Sequence, residues 1–344
     1  MTLWQSYLTK KLIYENHPAL ENERCLNTLQ TKHTCTICKD ICPNHVFKED
    51  QNWELCNNCG ICTVACPARC IAPSSITASK FIEVYQNAEN TIVISCINHS
   101  AEADYKVPCL SSLSWEALSL LALKCKVFLN TTPCIDCDKK CDLDLFKTTL
   151  TKTSIFLGNS EYNKQIEIIS DYRILPTRQY SRRDAFSVFS AKSKTMAGNL
   201  LPDIKTLLPN GLFWMQLLTH HTKQKDDKTY HMQLPSFSES CTACGICTKL
   251  CPGQALHRLQ YEEYENQWFM ALIPWRCSNC GLCVRICPSN GMQSSSIVEI
   301  SNLNKPLVHQ VNAISCIRCG EPIINSTSGL CNKCSAETPA TFTF

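Results

Sequence analysis

The sequence predicts an α+β protein in which two cysteine-rich modules flank a small α/β unit built on a parallel sheet, with a separate four-cysteine element at the end of the chain. Three observations carry that expectation. A phrase of closely spaced cysteines ending in proline occurs four times, in two pairs, over residues 35–67 and 241–288. Between the pairs, short β-branched runs alternate with a stretch of helical apolar spacing. Beyond residue 315 come two Cys-x2-Cys pairs. The implied divisions are 1–80 for the first module, 81–175 for the α/β unit, 176–235 for a basic linker holding one helix, 236–304 for the second module and 305–344 for the tail.

The first module contains one intact run, Cys56, Cys59, Cys62 and Cys66-Pro67, and one short run, Cys35, Cys38 and Cys42-Pro43, with Lys32 where a first cysteine would stand. Cysteines spaced Cys-x2-Cys-x2-Cys-x3-Cys-Pro wrap three sulfurs around one cubane, while the fourth is aimed at a neighbouring cluster. By that crossing, Cys42, Cys56, Cys59 and Cys62 make one [4Fe-4S] site. Cys35, Cys38 and Cys66 make another that lacks a fourth sulfur. Cys25, ten residues upstream of Cys35, is favoured to supply it over Cys70, which sits one turn beyond Cys66; a three-iron cluster is the remaining option.

In the α/β unit, "TIVIS", "KVFLN" and "IEIIS" read as strands and "SWEALSLLALK" as a helix, an order that gives a parallel sheet. Cys96, Cys109, Cys134, Cys137 and Cys141 follow these elements, and sites in parallel sheets form where the strands end. Five thiols there exceed what a core of this size uses, so a further iron–sulfur site is expected, ahead of zinc, with His99 as a loop residue. The linker includes "SRRDAF" at residue 181, which has the paired arginines of an export signal but no apolar core behind them.

The second module is complete. Cys241, Cys244, Cys247 and Cys287 make one [4Fe-4S] site, and Cys251, Cys277, Cys280 and Cys283 the other. Gly245 and Gly281 follow the second cysteine of each run, and Pro252 and Pro288 end them. Zinc is disfavoured here because its four ligands are usually divided between two separated knuckles.

Residues 236–295 resemble the bacterial-type dicluster ferredoxins, with all eight ligands and both prolines in place. The first module resembles the same family apart from Lys32. The resemblance implies two ferredoxin-like modules, about four [4Fe-4S] clusters and electron transfer as their work. In the tail, Cys316, Cys319, Cys331 and Cys334 have the spacing of a zinc ribbon, and zinc is expected there ahead of rubredoxin-type iron.

Composition narrows the function classes. The chain has 27 cysteines in 344 residues, and its first twenty residues show no long apolar run behind their charges. Reduced thiols and a cytoplasmic location are therefore expected, and no stretch reaches the ~18 uncharged apolar residues of a membrane span. The formal charge is +3, with 33 basic and 30 acidic residues dispersed along the chain, which argues against nucleic acid. Each filled four-cysteine site adds about −2, so five filled sites bring the protein to about −7, a surface suited to a partner with a basic patch. No phosphate loop, dinucleotide fingerprint or nucleophile elbow occurs, so catalysis is not expected of the chain itself. The expected role is a relay of low-potential electrons to or from a catalytic oxidoreductase subunit, within a larger anaerobic redox complex. The alternative is an accessory factor in maturation of a molybdenum or other metalloenzyme.

Overall fold

The computed structural model describes residues 17–29, 35–47, 52–97, 103–134, 137, 143–171, 210–223, 228–260, 267–323 and 329–336. Lys32, His99, Cys141 and the "SRRDAF" segment lie outside these residues.

In the first module β1 (Ala19–Leu20) pairs antiparallel with β2 (Ile71–Ala72), and between them lie three short helices, α1 (Leu26–Leu29), α2 (Ile37–Ile41) and α3 (Ile61–Ala65). Elements this short do not hold themselves together. Their shared core is small: Val46, Phe47 and Ile71 with the thiols of Cys42, Cys62 and Cys70. Trp53 closes it, edge-on to Phe47 at 5.6 Å and stacked on His17 at 4.4 Å. So little apolar surface leaves this module with hardly any core of its own.

Helix α4 (Ser75–Asn87) crosses the boundary at residue 80. Ser74 caps it, its Oγ accepting the Thr77 N–H at 3.2 Å. Its Phe81 meets Tyr105 and Trp214 edge-on at 6.2 and 4.8 Å, fastening the first module to the α/β unit and its neighbouring helix.

Four parallel strands come next, β3 (Thr91–Cys96), β4 (Tyr105–Val107), β5 (Lys126–Asn130) and β6 (Ile166–Ile169), in the order β4-β3-β5-β6. Three of the four are the β-branched runs of the sequence. Helix α5 (Trp115–Ala122) joins β4 to β5, and α6 (Leu143–Leu157) with α7 (Asn159–Gln165) joins β5 to β6. Every residue of α5 is buried, the mark of a helix covered on all sides. Helix α8 (Phe213–Thr222), the one helix expected in the linker, puts Phe213, Met215 and Leu218 into the same core. Gly211, just before it, passes so close to the first module that a Cβ there would fall 1.6 Å from the Arg69 carbonyl oxygen. Only glycine fits that crossing.

The second module runs β7 (Tyr230–Phe237), α9 (Ile246–Leu250), β8 (Leu256–Leu259), β9 (Gln267–Leu272), α10 (Leu282–Arg285), β10 (Met292–Ile300) and β11 (Leu307–Asn312). β7 and β10 form an antiparallel ribbon, and β11-β9-β8 form an antiparallel sheet. β7 thus begins inside the stretch read as linker. Tyr230 stacks on Phe156 at 4.8 Å, so the second module and the parallel sheet share one core. The tail adds β12 (Ile314–Ser315), β13 (Pro322–Ile323) and α11 (Asn332–Ala336).

Candidate metal centres

The four cysteine runs share one backbone design, which becomes visible when they are laid side by side. Cys42, Cys66, Cys251 and Cys287 each precede a proline. Each accepts an N–H from four residues on: from Val46 at 3.4 Å, Cys70 at 3.4 Å, Ala255 at 3.3 Å and Gly291 at 3.1 Å. The third residue after each is left-handed: His45, Arg69, Gln254 and Asn290, with φ between 49° and 56°. A residue in that conformation turns the chain back over the sulfur, and N–H groups aimed at sulfur stabilise a negatively charged cluster.

The leading halves repeat as well. Cys56 accepts the Asn58 N–H at 3.4 Å, and the thiols of Cys241 and Cys277 receive the amides of Ala243 and Asn279. Those three donors are left-handed too, as are Gly60, Gly245 and Gly281, which cap α3, α9 and α10 at φ 71° to 75°. The short run departs from this: Thr36 stands where the other runs have glycine, and its φ is −110°.

The thiols converge in four sets. Burial pushes Cys38 up to about 11, with Cys66, Cys35 and Cys25 adding to the effect in that order. Cys62 is pushed well up by burial, then by Cys59, Cys42, Cys56 and Cys38. Cys247 rises to about 12 through burial and then Cys241, Cys244 and Cys287; Cys283 rises to about 12 through burial and then Cys277, Cys280, Cys251 and Cys247. Crowded and pushed up by burial, Cys38, Cys62, Cys247 and Cys283 would give up protons on binding a cation, and a donor set made only of sulfur fits iron–sulfur clusters. The last neighbour of Cys62 and of Cys283 belongs to the adjoining set, so within each module the two sets abut.

Cys25 and Cys70 both reach the incomplete set. Cys70 Sγ lies 3.3 Å from Cys66 Sγ and also touches Cys25. The Cys70 thiol donates to Cys66 and holds it down at about 6, against the opposing effect of burial.

At the sheet, Cys96 ends β3, Cys109 follows β4, and Cys134 lies just beyond β5. Burial raises Cys134 to about 11, followed by Cys96, Cys109 and Cys137. Cys109 accepts the Ser111 N–H at 3.4 Å and also faces Cys59 of the first module. Ser95 Oγ and Asn130 Nδ2, buried on neighbouring strand ends, have no hydrogen-bond partner among the described residues. Cys125, by contrast, points its thiol at the Leu121 carbonyl, 3.5 Å away, as an ordinary core residue.

In the tail, the sulfurs of Cys316, Cys319, Cys331 and Cys334 all lie within 4.8 Å of one another. A tetrahedral zinc with ~2.3 Å bonds holds its sulfurs ~3.8 Å apart, so this set has the size of a mononuclear site. No other group of three or more such ligand atoms among the described residues converges as closely. The tail is tied to the second module by Arg258, which bonds Glu321 at 2.7 Å, the Ala243 carbonyl at 3.2 Å and lies over Trp268. Sequence spacing held no hint of Arg258, nor of Arg69, whose guanidinium joins Glu116 at 2.6 Å and the Cys277 carbonyl at 3.4 Å.

Residues 240–291 match the family of 4Fe-4S dicluster domains. No curated protein matches the chain. The second module is therefore an iron–sulfur, metal-binding unit of the 4Fe-4S type. No helix among the described residues is long and apolar enough to cross a membrane.

Proposed function

We propose that the chain is an iron–sulfur electron-transfer protein holding four [4Fe-4S] clusters. Their ligands are Cys25, Cys35, Cys38 and Cys66; Cys42, Cys56, Cys59 and Cys62; Cys241, Cys244, Cys247 and Cys287; and Cys251, Cys277, Cys280 and Cys283. The observation that carries the reading is the repeated loop: four proline-flanked cysteines each receive an amide from four residues on, two of them in a module that the family match does not reach. Thiolate-ligated cubanes have no open coordination position, so they exchange electrons rather than bind substrate. Electrons of low potential pass between this chain and an oxidoreductase partner that presents a basic patch to its acidic surface. We further assign the sheet-edge thiols, Cys96, Cys109, Cys134 and Cys137, to a fifth centre, supported by the Ser111 amide on Cys109 and by Ser95 Oγ and Asn130 Nδ2, which have no partner among the described residues. The tail cysteines take structural zinc, which supplies the folding free energy that a strip of this size lacks.

Iron, sulfide and zinc analysis of anaerobically purified protein tests these assignments. About 16 iron atoms with matching sulfide and about one zinc are expected from four cubanes and the tail, and about 18 to 20 iron if the sheet edge is also filled. Cys25→Ser lowers iron at the incomplete site, whereas Cys70→Ser leaves it unchanged; the reverse result reassigns the ligand. Iron below about 8 with more than two zinc overturns the electron-transfer reading in favour of a zinc scaffold.

A further inference from the structure

The contact between the two modules brings cluster ligands of both into one apolar seam. Leu26 and Ala68 of the first module pack with Leu282 of the second, and Leu29, Leu250 and Ile286 close around them. Cys35 and Cys66 border this seam from one side and Cys280 from the other. Ala68 lies two residues past Cys66, and Leu282 two past Cys280. Both are 1 % exposed, so the contact between them is dry.

We propose that electrons cross this seam directly, making the two modules one unbranched relay. The proposal rests on the four-cluster reading and adds the order of its centres. Cys62 abuts Cys38 inside the first module, Cys283 abuts Cys247 inside the second, and the seam joins Cys35 and Cys66 to Cys280. The order is thus the Cys56 cluster, the Cys35 cluster, the Cys277 cluster and the Cys241 cluster. Each step moves one electron from a reduced core to an oxidised one, with no bond made or broken and no proton carried. Tunnelling falls exponentially with distance, so packed ligand loops are the favoured crossing.

Arg69 is the positioning residue of that crossing. It occupies the left-handed place of the Cys66 loop, at φ 49°, and from there reaches Cys277 across the seam. Its ion pair with Glu116 is buried, the two side chains being 14 % and 5 % exposed. A cation fixed beside the Cys277 ligand loop stabilises the more negative, reduced state of that cluster.

The test is electron paramagnetic resonance of the dithionite-reduced full chain. Cys241→Ala with Cys244→Ala removes the Cys241 cluster, and about four iron atoms should be lost relative to the wild type. In an isolated pair the surviving Cys277 cluster would then give an uncoupled signal; the seam predicts that it stays spin-coupled. Adding Cys35→Ala with Cys38→Ala should collapse it to a simple rhombic signal. A signal already uncoupled in the first variant, with only about four iron atoms lost, overturns the proposal, whereas a loss far beyond about four indicts the four-cluster reading instead. Arg69→Gln leaves every ligand in place and should lower the potential of the Cys277 cluster more than that of the Cys241 cluster, with Arg69→Lys intermediate. An equal shift at all clusters, or none, counts against Arg69.

Discussion

Cys125 is the cysteine of the sheet domain outside the proposed metal sites whose thiol is shifted. Its thiol is pushed up to about 11 by burial, with Asp104 adding and Lys124 opposing, while burial carries Tyr85 and Tyr105 to about 12. All three are neutral when protonated, and the fold holds their protons more tightly than the unfolded chain does. Their contribution to stability is therefore complete below the unfolded values of 9.0 and 10.0 and is lost as pH climbs through the folded ones. In anaerobic urea unfolding, the midpoint of the wild type relative to that of Cys125→Ala should be constant from about pH 7 to about 8.5 and should fall above about 9. A difference that stays constant through about pH 10 would remove Cys125 as a source of pH dependence. Nothing in the sequence separates this cysteine from a ligand except spacing, which it lacks. Spacing likewise marked the ligand candidates, but could not mark Arg69, Glu116 or Arg258. Their roles depend on which loops meet in space, and a single charged residue in a loop carries no pattern.

Among the elements, α5 is the one on which the sheet domain turns. Ser114 caps it, accepting the Ala117 N–H at 3.2 Å, and Leu118, Leu120 and Leu121 are buried against the sheet and α8. A leucine lost from such a site costs its transfer free energy and leaves a cavity. Leu121→Ala should destabilise the fold by about 2–5 kcal/mol and Ser114→Ala by about 1 kcal/mol in urea unfolding of the metal-loaded chain. Equal, small effects would mean that α5 is not the central packing element. This helix and strands β3, β5 and β6 were legible because helical apolar spacing and β-branched runs have distinct periods. Strand β4, only Tyr105–Val107, was too short to show alternation. Strand β10 was hidden differently: its "QSSS" start is exposed and pairs across a bulge with β7, so no apolar face marks it.

For the molecule as a whole, modules widely separated in the sequence are fastened together in space. Phe156 of α6 sits against Trp115 at 5.4 Å and stacks on Tyr230 of β7 at 4.8 Å, and the apolar cluster containing them includes both Phe81 and Val311. The first module adds little core of its own and attaches through α4, the Leu26–Ala68–Leu282 seam and the Arg69–Glu116 pair. The sheet and the second module share one core and so have no plane along which to separate. They should melt in one cooperative transition, followed by far-ultraviolet circular dichroism for the sheet and by bleaching of cluster absorbance for the module. Phe156→Ala removes a fully buried ring at their junction and should lower both transitions together, at a cost of about 3–5 kcal/mol. If circular dichroism and cluster bleaching instead separate in the variant, the two units fold independently, and the two modules are joined only at the Leu26–Ala68–Leu282 seam and through Arg69.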